Sequence, residues 1–199
     1  MRFTIQTLNM DNLAKRLAQN AEQAKKALTA TGNDMKARIP GYVATEVTGV
    51  YNIKKQEVMP KKAGGKPKKM AGKIRVSGTT VTSVAIEYSG RLLTPTHFGM
   101  RPKALTGGKG KRRKRKPITA EIKKGQRKAL STDAFLGSNK GGGYIPFRRT
   151  SAKAYPIKSI KTLSLPQMVD NQNVRANLNQ KINTELSKRL EHNVKRFLK

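Results

Sequence analysis

The chain has 199 residues and carries 43 Lys and Arg against 11 Asp and Glu, a formal net charge of +32, with 36% hydrophobic residues, 5% aromatics, no Trp and no Cys. That composition supports one modest aliphatic core and excludes disulfides, thiolate zinc sites and cysteine nucleophiles. No segment is long and apolar enough to span a bilayer, residues 1–13 lack the apolar run of a signal peptide, and a charge so one-sided calls for a polyanion whose condensed counterions it can release.

In chain order, residues 11–31 predict an amphipathic helix. Leu13, Leu17, Ala21, Ala24 and Leu28 follow the helical period, while Lys15, Arg16, Glu22, Lys25 and Lys26 fall largely elsewhere. Asp11 is a candidate cap and Gly32 a candidate end. A second helical pattern begins near Asn33 or Asp34 with Met35, Ile39, Val43, Val47 and Val50 or Tyr51, and Pro40-Gly41 within it predicts a kink or a late start.

Residues 54–75 then hold nine Lys/Arg and one acid, Glu57, a net of +8. Residues 101–128 hold thirteen Lys/Arg and one acid, Glu121, a net of +12. These two stretches carry +20 of the +32, and the remainder of the chain is close to ordinary in charge. Pro60, Gly64, Gly65, Pro67 and Gly72 interrupt the first, and Gly107, Gly108, Gly110 and Pro117 interrupt the second. Glycine, proline and adjacent like charges all oppose regular structure. Both, over 54–75 and 101–117, are therefore expected to be long basic loops, extended or disordered until they meet phosphate. Aromatic residues for base stacking are missing from 101–117 and from the Lys-rich part of 54–75, and no Asn or Gln is placed there to read base edges. The expected contact is with duplex DNA through its phosphates and is independent of sequence. The candidate nucleic-acid-binding residues are Lys61, Lys62, Lys66, Lys68, Lys69, Lys109, Lys111, Arg112, Arg113, Lys114, Arg115 and Lys116.

Between and after these stretches the period changes. Residues 73–89 alternate, are rich in Val, Ile and Thr, and predict a β-hairpin around Ser77-Gly78. Leu92–Gly99, with Pro95, reads as irregular or a short edge strand. Further strands are expected at Ile118–Ile122, continuing toward Leu130, and at Tyr144–Arg148 after Gly141-Gly142-Gly143. The segment 170–198 predicts a long helix, with Val174, Leu178, Ile182, Leu186, Leu190, Val194 and Leu198 at every fourth position. A strict four-residue stripe drifts by roughly 40° per step around a helix of 3.6 residues per turn. The first half is expected to pack on its own domain, and the far end to reach a different body, which makes Leu186, Leu190, Val194 and Leu198 the candidate oligomer or partner interface. The fold class expected is α+β in a single domain over 1–199: N-terminal helices, a small antiparallel sheet carrying long basic loops, and a long C-terminal helix.

Catalytic chemistry has little to stand on. His192 lies beside Glu191 on the polar side of the last helix, and His97 in Thr-Pro-Thr-His-Phe-Gly reads as anything from a turn residue to a core edge. There is no His-Glu-x-x-His motif, no carboxylate cluster and no metal-ligand spacing, and neither glycine cluster has P-loop spacing. The expectation is a structural protein and not an enzyme, without cofactor or metal.

The C-terminal third carries a resemblance. A strand leading to Arg148-Arg149, then Tyr155-Pro156-Ile157-Lys158, then Ser164-Leu165-Pro166-Gln167-Met168, runs into a terminal helix with Leu190, Glu191, His192 and Arg196. This order resembles the minor tail protein Z family of long-tailed phages, and the N-terminal helix followed by Val50-Tyr51-Asn52-Ile53 is compatible with it. Thr162-Leu163-Ser164 stands where the family pattern would have Gly-Pro-Ser. The resemblance implies a virion protein of the phage neck or tail, made in the host cytoplasm and acting in tail completion or head–tail joining. It also implies a homo-oligomeric ring, six-fold to match tail symmetry, around the DNA path, with other neck and tail proteins as partners and no membrane. The alternative reading is a ribosomal or other RNA-binding structural protein, because long basic extensions from a small body are common there.

Overall fold

The computed structural model describes residues 2–4, 21–59, 71–78, 85–105, 117–139 and 142–197. Its class is α+β. In chain order the elements are β1 (Arg2–Thr4), α1 (Ala21–Val50), α2 (Lys55–Val58), β2 (Lys73–Ser77), β3 (Ala85–Ser89), a 3-10 turn (Pro95–His97), β4 (Thr119–Glu121), β5 (Arg127–Ala129), β6 (Phe135–Asn139), β7 (Gly143–Arg149), β8 (Ile157–Ser159), α3 (Leu165–Val169) and α4 (Gln172–Phe197).

The centre of the molecule is the pairing of α1 with α4, the most extensive contact between any two described elements. Ala24, Ala27, Thr31, Gly32, Met35, Ile39, Val43, Ala44 and Val47 form one buried face of α1. Val174, Leu178, Ile182, Leu186, Leu190 and Val194 form the answering face of α4. Two expected helices are thus one. The chain runs through Gly32 and Pro40 without a break, although proline leaves one carbonyl of the preceding turn unbonded at a cost of about 3 kcal/mol. Burial of Met35, Ile39, Val43 and Val47 on either side offsets that local preference. The expected start of the first helix, at 11–20, lies outside the described residues.

A polar group fixes the register of this pair. Asn193, only 2% exposed, donates through Nδ2 to Thr31 Oγ1 at 3.0 Å and to Asp34 Oδ2 at 3.3 Å. Thr31 in turn donates to the Ala27 carbonyl at 2.8 Å, so this buried hydroxyl is satisfied on both sides. Two turns earlier, in the middle of α4, Glu185 Oε2 accepts from the Tyr42 hydroxyl at 3.2 Å. Burial first, and then the Glu185 carboxylate, raise the Tyr42 phenol above its usual range and keep it a donor.

Among the described residues the strands form three small antiparallel sheets. The first has the order β1-β3-β2, with Lys73 opposite Ser89 and Ser77 opposite Ala85, so the expected hairpin is present; its residues 79–84 lie outside the described ones. Ile86 and Tyr88 of β3 point into the core. Burial raises the Tyr88 phenol. The second sheet pairs β4 with β5, so the strand expected at Ile118–Ile122 does not continue toward Leu130 but turns back at Lys123–Gly125. Gly125 takes φ +73°, the left-handed conformation the turn needs. The third sheet has the order β6-β7-β8 and contains the strand expected at Tyr144–Arg148. Leu92–Gly99 is irregular as read, with the 3-10 turn inside it.

Where the family pattern would place Gly-Pro, Thr162 ties the chain down instead. Its N–H and its hydroxyl both donate to the Leu93 carbonyl, at 2.7 and 2.9 Å, and the Leu93 N–H donates to the Leu163 carbonyl at 3.1 Å. Ser164 then caps α3 with Gln167 in a reciprocal capping box.

Two measurements test this core. Asn193→Ala leaves the buried Thr31 hydroxyl and the Asp34 carboxylate short of a donor and is expected to lower unfolding free energy by about 1–3 kcal/mol in urea titration. Leu186→Asp with Leu190→Asp places two charges in the α1–α4 seam and is expected to cost more than about 4 kcal/mol, removing the cooperative helical transition in circular dichroism. A double variant with the parent's urea midpoint would refute the packing described.

Candidate nucleic-acid interface

Each of the two basic stretches is anchored in the body by described residues at its roots. The first departs at Met59 and returns at Ala71, whose N–H donates to the Glu57 carbonyl at 2.9 Å. Beyond Ala71 the backbones cross closely. A Cβ on Gly72 would stand 2.2 Å from the Ser89 carbonyl oxygen, and one on Gly90 would stand 2.7 Å from that of Ala71. Only glycine fits a contact with backbone at those distances. The second stretch departs after Arg101 and returns at Thr119, and these two residues exchange backbone hydrogen bonds of 2.8 Å in both directions. The neighbouring Leu130 N–H donates to the Ile118 carbonyl at 2.7 Å, extending the clamp to β5.

One short segment holds both roots together. His97 Nδ1 hydrogen-bonds Glu57 Oε2 at 2.5 Å, with each side chain 12% exposed, and so ties the 3-10 turn to the first root. Four residues later, at most about 14 Å of extended chain, Arg101 is the second root. Between them, the Phe98 carbonyl accepts from the Glu121 N–H at 3.0 Å and the Gly99 carbonyl accepts from Arg127 Nη1 at 3.0 Å. Gly99 takes φ +60°, and a Cβ there would lie 2.9 Å from Asn52 Nδ2. The β4–β5 turn closes the arrangement against the end of α1. Asn52 N–H donates to the Ile122 carbonyl and Lys124 N–H to the Val50 carbonyl, both at 3.0 Å, with Tyr51 opposite Lys123. Burial raises the Tyr51 phenol, the direction expected of a side chain seated in the core.

The single acid of each basic stretch is therefore committed to holding the stretch in place. Glu57 holds His97. Glu121 accepts from the Gly125 N–H at 2.9 Å and from Arg127 Nη2 at 3.2 Å. Neither is a loose counter-charge for the lysines around it.

All twelve candidate DNA-contacting residues, Lys61, Lys62, Lys66, Lys68, Lys69, Lys109, Lys111, Arg112, Arg113, Lys114, Arg115 and Lys116, lie outside the described residues, as does Leu198. Leu186, Leu190 and Val194 are 3%, 4% and 8% exposed within the chain's own core, where α1 takes up the stripe that was expected to reach another body. His192 is exposed on α4, as read. The residues that organise the roots were not singled out from the sequence. Glu57 and His97 are forty positions apart, and backbone pairs such as Arg101 with Thr119 leave no trace in residue type.

Among the described residues no helix is long and apolar enough to cross a membrane, and no group of three or more His, Asp or Glu is placed to hold a metal ion. Comparison with curated proteins and with solved structures gave no match. A family model described as prophage minor tail protein Z matches residues 9–199, nearly the whole chain, and the chain therefore belongs to that family of phage minor tail proteins.

Proposed function

We propose that this tail component completes the head-proximal end of the tail and joins it to the head as a ring of identical chains around the DNA path, with the two basic stretches contacting DNA phosphates. A six-fold ring matches the symmetry expected of the tail, and other neck and tail proteins are its neighbours. The observation that carries this reading is the segregation of charge onto converging roots. Residues 54–75 and 101–128 hold +20 of the net +32, and the His97–Arg101 segment brings their roots to one region of the body. A ring multiplies that local charge into a collar, which suits a polyanion passing through it.

The contact is proposed to be with backbone alone. Lys109, Lys111, Arg112, Arg113, Lys114, Arg115 and Lys116 place seven cations in eight positions, too many to pair with an acidic protein surface of ordinary charge density. Each phosphate neutralised contributes roughly −0.9 to the slope of log K against log salt.

The test has two parts. Native mass spectrometry of the purified chain, with immunolabelling of purified virions, is expected to give a closed multimer of one stoichiometry and a label at the head–tail junction. Monomer at all concentrations, or a label elsewhere on the tail, overturns the ring. Replacement of the seven cations by Gln and Ser is expected to flatten the salt slope by several units and to weaken two unrelated duplexes equally. An unchanged slope removes this run from the interface, and a loss confined to one duplex shows that it reads bases.

A further inference from the structure

A second set of cations belongs to the body itself. Lys54 follows the end of α1, and Lys123 and Lys124 begin the β4–β5 turn; all three are exposed, and none makes an ion pair among the described residues. Backbone hydrogen bonds bring them together. Lys123 stands opposite Tyr51, and Lys124 donates to the Val50 carbonyl. Directly opposed antiparallel residues have Cα atoms about 4.5–5.5 Å apart, and the three residues from Tyr51 to Lys54 add at most about 11 Å. One further residue reaches Lys124, so the Cα atoms of the three lysines lie within roughly 20 Å, about six base pairs of duplex at 3.4 Å per step along one strand.

Two features show that this patch is more than a solvated surface. It lies between the roots of the two basic stretches: Glu57 is three residues beyond Lys54, and Thr119 is four residues before Lys123. The acids nearest in sequence do not neutralise it, because Glu57 is held by His97 and Glu121 by Gly125 and Arg127. The C-terminal end of α1 attracts cations, but a helix end carries only about half an elementary charge, which three lysines exceed several-fold.

We propose that Lys54, Lys123 and Lys124 form one phosphate-binding platform for a single DNA duplex. The proposal rests on the DNA contact proposed above and names for it, within the two basic stretches, three described residues that lie outside the runs 61–69 and 109–116. Lysine suits this role because its ammonium is a compact point charge with rotatable donors and needs no fixed fork geometry. The platform therefore reads no sequence.

Fluorescence anisotropy of a labelled 30-base-pair duplex, titrated with salt, tests this on the full-length chain. The variant K54Q/K123Q/K124Q is compared with K181Q/K188Q/K195Q, which removes the same charge from exposed positions on α4, and with K54R/K123R/K124R, which keeps the charge. The platform Gln variant is expected to flatten the slope by about 2–3 units. The α4 variant is expected to change it by less than about 1 unit, and the Arg variant to retain the parent slope, which separates charge at this site from any loss of fold. Equal flattening by the platform and α4 variants overturns the platform while leaving the DNA contact of the basic stretches standing. Failure of the parent chain to bind duplex at low salt overturns both.

Discussion

Everything else in this molecule leans on the seam between α1 and α4. A chain with a net charge of +32 repels itself, and the counterweight is an aliphatic interface running from Ala24 to Val47 on one helix and from Val174 to Val194 on the other. The seam contains little that is specific in shape, since it is built from Ala, Val, Ile, Leu and Met. Specificity comes from Asn193, whose amide can satisfy Thr31 and Asp34 in one alignment of the helices only. A slip by one turn would leave the buried Asn193 amide without either acceptor and the Thr31 hydroxyl with only its bond to Ala27, and that penalty selects the register.

The sheets use this seam as a foundation and divide the remaining work. β3 presses Ile86 and Tyr88 into it. The β4–β5 hairpin seals the end of α1 through Tyr51 and Asn52. The β6-β7-β8 sheet returns the chain to α3 by way of the Thr162–Leu93 hydrogen bonds. Phe147 stacks on Phe135 with ring centroids 6.2 Å apart, and Arg149 lies over the Phe135 ring at 5.5 Å. Among the described residues from Ala21 onward the lysines and arginines sit at exposed positions on elements whose inner faces are apolar, except for Arg189 on α4, which is half-buried.

The sequence disclosed these parts unequally, for physical reasons. The hairpin at 73–89 was legible because alternation of Ile74, Val76, Ile86 and Tyr88 has only one structural meaning. The terminal helix was legible because its stripe is long. Gly32 and Pro40 misled, since both are local helix breakers and their tolerance depends on α4, a hundred and forty residues away. The stripe at Leu186, Leu190 and Val194 drifts around α4, and periodicity alone does not show that α1 extends far enough to cover it. Strands β6 and β8 passed unnoticed, one for its central Gly137 and the other for having three residues. The Ser164-x-x-Gln167 capping box, by contrast, is a local signal carried by residue type. Of the candidate interface, the charge segregation was readable from composition alone. The convergence of the roots was not, because it is made by main-chain hydrogen bonds that any residues could form.

Those clamped roots carry a consequence for tolerance of sequence change. The hydrogen bonds Glu57–Ala71 and Arg101–Thr119 close the base of each stretch through main-chain atoms. Lengthening a closed segment is thermodynamically mild, with each doubling adding only about 0.6 kcal/mol of closure entropy. A change in the length or charge of either stretch is therefore expected to leave the scaffold folding as before.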